Sequence, residues 1–231
     1  NTTLPFALES SSGSMSYNEE KEINITSTGE LSVSGFDSTV VSAEIVDGKL
    51  VLNGLKVGST TITITSGETN NYNEASTTYD ISVGKANNVL VLSENSGSVT
   101  YPGNTEFTVT QNTSGGTLSC ESSNTSAATC SVSGNTITVN SGTQAAENVI
   151  ITVSSASTSN YNAQQVAYVV TSENGLMTVT ANDYSGTYDG SAHGITVSSS
   201  GANIRYGTVE GTYDLDVNPT YSDVEIGRAS C

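Results

Sequence analysis

The sequence predicts an all-β chain divided into small tandem domains, and three observations predict it. Apolar residues alternate with Ser and Thr, as in Thr60-Thr61-Ile62-Thr63-Ile64-Thr65 and Asn135-Thr136-Ile137-Thr138-Val139, the period-two pattern of strands with one buried face. Between the alternating runs stand Asp47-Gly48, Asn53-Gly54, Ser114-Gly115-Gly116, Ser133-Gly134-Asn135 and Asp189-Gly190, which are turn chemistry. The third observation is a repeat. Ser12-Gly13-Ser14-Met15-Ser16-Tyr17 runs into Glu22-Ile23-Asn24-Ile25-Thr26, and Ser96-Gly97-Ser98-Val99-Thr100-Tyr101 into Glu106-Phe107-Thr108-Val109-Thr110. Ser185-Gly186-Thr187-Tyr188 then runs into His193-Gly194-Ile195-Thr196-Val197. Tyr17 and Tyr101 lie 84 residues apart, Tyr101 and Tyr188 87 apart, so the unit is one small domain rather than a solenoid turn. The expected domains are 1–85, 86–173 and 174–231.

In the first unit, Leu31-Ser32-Val33 follows the opening pair of strands. Ala43-Glu44-Ile45-Val46 and Lys49-Leu50-Val51-Leu52 then flank Asp47-Gly48, a hairpin whose two turn residues accept the positive φ of a primed turn. Its last two strands, 60–65 and 77–83, enclose Asn71-Tyr72-Asn73. The second unit opens at 88–92 and ends alike, with Val149-Ile150-Ile151-Thr152-Val153 and 163–171 enclosing Asn160-Tyr161-Asn162. Residues 145–149 carry the only hint of helix, and 177–181 open the third unit. The two Asn-Tyr-Asn bends invite a tyrosine that packs its ring over the core edge and hydrogen-bonds a backbone group with its hydroxyl; a tyrosine that stacks on a sugar is the functional alternative. Tyr17, Tyr101, Tyr188, Tyr72 and Tyr161 are therefore read as structural tyrosines. Linkers of three or four residues at 83–86 and 172–175, without Pro or long Ser/Gly tracts, predict limited bending between neighbours.

Charge excludes one class of partner. The chain has 23 acidic against 6 basic residues, and 86–173 holds five Glu with no Lys or Arg, whereas binding to a phosphate backbone rests on Lys and Arg; nucleic acid is not expected. No apolar run approaches the roughly 18 residues of a membrane helix, so no membrane insertion is expected in this segment. The chain opens on Asn1 rather than Met and reads as a mature product or an excised piece. Of its three cysteines, Cys120 and Cys130 lie in one unit with nine residues between them, a spacing that allows a cross-strand or loop-closing disulfide in an oxidising location; a buried free thiol pair is the alternative.

Catalytic chemistry finds little support. His193 is the one histidine, without a nucleophile elbow, and two Cys with one distant His make no zinc site. Asp214 and Asp216 alternate along one strand face and repel rather than share a glycosidase's work. Asp214-Leu215-Asp216-Val217-Asn218 offers hard oxygen ligands at alternate positions but lacks the Gly and bidentate Glu of a calcium loop. No cofactor, metal or catalytic residue is expected.

The stretch from Leu176 through Tyr184-Ser185-Gly186-Thr187-Tyr188-Asp189-Gly190-Ser191-Ala192-His193-Gly194-Ile195-Thr196-Val197, followed by Ile204-Arg205-Tyr206-Gly207 and Gly211-Thr212-Tyr213-Asp214-Leu215, resembles the MBG-like repeats of large bacterial surface proteins. Glu121-Ser122-Ser123-Asn124-Thr125-Ser126-Ala127-Ala128-Thr129-Cys130-Ser131-Val132 resembles a signature of bacterial Ig-like group 2 domains, with Cys130 where an apolar residue is usual. The resemblance implies tandem immunoglobulin-like antiparallel β-sandwiches. It implies a non-enzymatic stalk in a secreted or wall-attached bacterial protein, with neighbouring domains of the same protein as its partners. An adhesin for glycan or host protein, or the accessory part of an extracellular enzyme, are the alternatives. The family pattern continues past Val224 with a further strand, which Glu225-Ile226-Gly227-Arg228-Ala229-Ser230-Cys231 does not match, so the third unit is expected to lack its last two or three strands.

Overall fold

The computed structural model of the chain describes residues 6–200 and 203–222, and every regular element among them is a strand. The first domain runs β1 (Ala7–Leu8), β2 (Ser12–Ser16), β3 (Glu20–Thr26), β4 (Leu31–Ser34), β5 (Val41–Val46), β6 (Lys49–Gly54), β7 (Gly58–Ser66) and β8 (Ala75–Gly84). One sheet has the order β1-β3-β6-β5 and the other β2-β8-β7-β4. The second domain repeats this strand for strand: β9 (Leu90–Leu92), β10 (Ser96–Thr100), β11 (Asn104–Asn112), β12 (Leu118–Ser122), β13 (Ala128–Ser133), β14 (Thr136–Ser141), β15 (Ala146–Ser155) and β16 (Gln164–Glu173). Its sheets are β9-β11-β14-β13 and β10-β16-β15-β12. Each domain is thus an immunoglobulin-like sandwich. It departs from the antiparallel expectation at one strand pair per domain, because β2 runs parallel to β8 and β10 parallel to β16.

Alternation builds these sandwiches. Along β8, Tyr79, Ile81 and Val83 are buried while Thr78, Asp80, Ser82 and Gly84 face outward. Along β15, Val149, Ile151 and Val153 do the same, each fully buried aliphatic side chain contributing about 1.5–3 kcal/mol. The Asp47-Gly48 turn joins β5 to β6 with φ of 50° and 76°, as a two-residue primed hairpin requires. Residues 145–149 are not helical; Ala146 pairs with Ser172, and the extra residues up to Val149 form a bulge containing Asn148 at φ 55°. Cross-strand bonding to β16 overrides the local hint.

The centre of each core is a tyrosine that the repeat motif alone does not announce. Tyr79 is 0% exposed and Tyr168 1%, and Phe107 stacks on Tyr168 with centroids 3.9 Å apart. A ring this deep must lead its hydroxyl out past the neighbouring strand. Gly13 of β2 lies over the Tyr79 hydroxyl and Gly97 of β10 over that of Tyr168, so closely that a Cβ on either glycine would overlap the phenol oxygen. The Ser-Gly of the repeat is therefore a clearance for a core tyrosine. Burial pushes the Tyr168 phenol above its ordinary range, and the Glu94 carboxylate adds to this. The Tyr79 hydroxyl is buried with no hydrogen-bond partner among the described residues.

Cys120 on β12 and Cys130 on β13 form a disulfide with Cα atoms 6.2 Å apart. Because these strands belong to opposite sheets, the bond fastens one layer to the other rather than pairing neighbours within a sheet. Closing a ring of this size stabilises by about 3 kcal/mol in the chain-entropy account.

The chain forms two compact units, Asn1–Glu173 and Asn174–Cys231. Both sandwiches belong to the first, with no strand shared between their sheets. In the second, β17 (Val179–Asn182) and β18 (Thr196–Ser199) pair antiparallel, and bridges link His193 to Tyr221 and Tyr206 to Leu215. Ile195 is the one buried apolar side chain among its described residues, so these do not show the two-layer core expected of a third sandwich. Cys231 and the expected missing strands lie outside the described residues.

The clearance makes a paired prediction. Gly13→Ala lowers the stability of the first domain by about 1–3 kcal/mol through overpacking, Tyr79→Phe is neutral or stabilising because it removes an unsatisfied buried hydroxyl, and the double variant recovers most of the loss. Urea melts of the three variants check this; a Gly13→Ala chain as stable as the parent refutes it.

Candidate functional site: the joint between the two sandwiches

Recurring residues at the edge of the cores meet where the two sandwiches join, Tyr17 among them with its ring packed against the first core. Tyr17 follows the last residue of β2, and its amide donates to the Gly84 carbonyl at 2.8 Å. This holds its ring where the chain leaves the first domain. Ala86 then forms a parallel bridge with Tyr161: its amide donates to the Asn160 carbonyl at 2.9 Å, and its carbonyl accepts from the Asn162 amide at 2.9 Å. Asn162 Nδ2 donates to Asn87 Oδ1 at 3.1 Å. From the first domain, the Val57 amide donates to Asn160 Oδ1 at 3.3 Å, and the Tyr17 ring meets Tyr161 edge to face, centroids 5.4 Å apart at 78°. Linker, exit tyrosine and loop all converge on one Asn-Tyr-Asn bend. Such an aromatic pair is worth about 0.5–1.5 kcal/mol beyond its burial.

This corrects the tyrosine-corner expectation. Among the described residues neither Tyr72 nor Tyr161 makes a hydrogen bond with its hydroxyl; the backbone of each bend supplies the bonds, as in Thr69 with Tyr72 and in the Thr158 amide to the Tyr161 carbonyl. The rings lie at the domain surface, half-buried, where a phenol keeps access to water and needs no backbone partner. Tyr17 and Tyr161 come together, Tyr101 is 46% exposed beside the end of β16, and Tyr188 is 69% exposed. The core tyrosines are Tyr79 and Tyr168, which sequence reasoning passed over. The signal that finds them is their inward position in a last strand, two residues before Ile81 or Val170, in a domain that also carries Ser-Gly.

The remaining chemistry-bearing residues do not assemble. His193 Nε2 lies 2.9 Å from Asp189 Oδ1 and its ring stacks on Tyr184 with centroids 3.8 Å apart. The His193 contact and the Ser191 amide hold the Asp189 carboxyl below its usual range. Asp216 pairs with Arg205 at 3.3 Å, and Asn218 Nδ2 donates to the Ile195 carbonyl at 2.6 Å while its Oδ1 is buried without a partner among the described residues. Among the described residues no cluster of His, Cys, Asp and Glu could hold a metal ion. A depression of about 390 Å³ on the first domain is lined by Ser12, Ser59, Thr60, Thr61, Asp80 and Ser82; its Thr61 hydroxyl donates to Asp80 at 2.6 Å, and it has no aromatic platform for a sugar. No helix among the described residues is long and apolar enough to cross a membrane.

If the joint holds in solution, a double-mutant cycle on Tyr17→Ala and Tyr161→Ala gives a coupling of about 0.5–1.5 kcal/mol. Chemical denaturation of the four chains measures it; additive effects mean the rings do not touch.

No protein-family model and no curated protein matches the chain. Among solved structures it is similar to titin domains Z1Z2 in complex with telethonin, at 12% identity and TM-score 0.38, over 76% of this chain and 100% of that one. It is similar to domains 4 and 5 of the S-layer protein SbsC, at 19% identity and TM-score 0.32, over 64% of this chain and 80% of that one. It is also similar to Drosophila N-cadherin EC1-4, at 13% identity and TM-score 0.34, over 76% of this chain and 50% of that one.

Proposed function

We propose that this chain is a non-enzymatic spacer, a run of immunoglobulin-like modules that holds other domains of a larger bacterial cell-surface or secreted protein at a distance. The observation that carries the reading is the joint. Four hydrogen bonds and an aromatic contact fasten the linker and the first sandwich to one bend of the second, which is how a spacer resists bending. A flexible tether needs none of these contacts. The inter-sheet disulfide suits an oxidising, extracellular location. An acidic, hydroxyl-rich surface suits a part that stays solvated and self-repelling. Its partners are the neighbouring domains of the same protein.

A second reading, an adhesive module for glycan or host protein, is favoured by the tyrosines of the second compact unit: Tyr184, Tyr188, Tyr213 and Tyr221 are 40–69% exposed. Small-angle scattering and a glycan array on the same sample separate the readings. The spacer reading expects a maximum dimension on the order of 100 Å, from strands at about 3.3 Å per residue, with no glycan retained. A compact profile contradicts it, and retention that is lost on Tyr188→Ala establishes the adhesin.

A further inference from the structure

The first domain carries the same bend that the second uses as its socket. Asn71-Tyr72-Asn73 stands between β7 and β8 as Asn160-Tyr161-Asn162 stands between β15 and β16. Both are shaped by the same local device, a threonine three residues before the tyrosine whose amide donates to the tyrosine carbonyl, at 2.9 Å for Thr69 and 3.0 Å for Thr158. Both tyrosines are half-buried and both leading asparagines exposed or half-exposed. In the second domain the ring receives Tyr17, and the Asn160 side chain receives the Val57 amide. In the first, the Tyr72 ring and the Asn71 side chain have no such partner among the described residues. Among the described residues one surface receives a ring and an amide from a neighbouring sandwich and its duplicate receives neither.

We infer that the Asn71-Tyr72-Asn73 bend is a docking site for the exit end of another copy of this repeat. The occupant is set by what fills the matching site: an aromatic ring at the end of the strand next to a domain's last strand, and a free backbone amide in the loop before its seventh strand. Tyr17 and Val57 supply these for the first domain, and the 84 residues between Tyr17 and Tyr101 give the length of one repeat. The inference rests on the spacer reading and sharpens it: both asparagine-tyrosine-asparagine bends, at 71–73 and 160–162, serve as sockets for the exit tyrosine of a preceding copy.

The test is the full chain carrying an extra copy of residues 1–84 directly before Asn1, which reproduces the spacing at the natural joint. With tyrosine rings isotope-labelled, proton cross-relaxation is expected between the added copy's Tyr17 ring and the original Tyr72, alongside that between the original Tyr17 and Tyr161. Tyr72→Phe keeps the new contact and Tyr72→Ala abolishes it. Loss of the new contact while the natural one persists overturns this inference and leaves the spacer reading standing. Loss of both contradicts the joint itself, and so the spacer reading. Because the unsubstituted four-domain chain already decides the matter, a Tyr72→Ala variant that fails to fold removes nothing from the test.

Discussion

A tyrosine buried at the heart of a small sandwich must have room for its hydroxyl, and in both domains that room is a glycine on the neighbouring edge strand. Much else depends on it. Gly13 pairs with Ile81, two residues beyond Tyr79, and Gly97 with Val170, two residues beyond Tyr168. A slip of one residue would set a serine over the phenol and turn Met15 or Val99 out of the core, so the register of the parallel edge strand is set from inside. That register carries Tyr17 to a position just past the strand, beside Gly84, where the chain departs. A core-packing constraint thus aims a surface tyrosine at the next domain.

The two sandwiches share this frame and differ in how they are reinforced. The second holds its sheets together with the Cys120–Cys130 bond and a Phe107–Tyr168 stack, where the first has Ile23 and no disulfide. The first carries an exposed Lys49–Glu22 ion pair at 2.6 Å, of a kind worth little in water, while the second has no Lys or Arg at all. Both close the loop after their third strand on a buried serine, Ser66 or Ser155, bonded to Ser27 or Ser114. Recurring polar contacts of this sort fix loop geometry without adding a reactive group. What distinguishes one repeat from the other is how it is held together.

The strands, their alternation and the Asp47-Gly48 hairpin were legible in the sequence, because each rests on local pattern. The spacing of Cys120 and Cys130 allowed a disulfide without deciding it; that the bond spans two sheets was not legible, since this depends on β12 joining β15 while β13 joins β14. The parallel edge strands escaped for the same reason, being contacts between residues more than 65 positions apart. The Ser-Gly repeat was visible, but its meaning lay in a tyrosine on the adjacent strand of the sheet, far away in sequence. The bends around Tyr72 and Tyr161 look inward on paper; only the packed chain shows that the Tyr161 bend faces the neighbouring sandwich. The third repeat shows the limit of motif reading, for Gly186 lies against the Tyr184 hydroxyl of its own segment and not against a tyrosine from a last strand.

The central claim is that the first two sandwiches move as one body through the Tyr17–Tyr161 joint. Residual dipolar couplings of backbone amides, measured on the whole chain in a dilute aligning medium, test it most directly. Residues 7–84 and 90–173 are predicted to report one common alignment tensor in both magnitude and direction. Two tensors of different magnitude would show the sandwiches reorienting independently and would contradict the account.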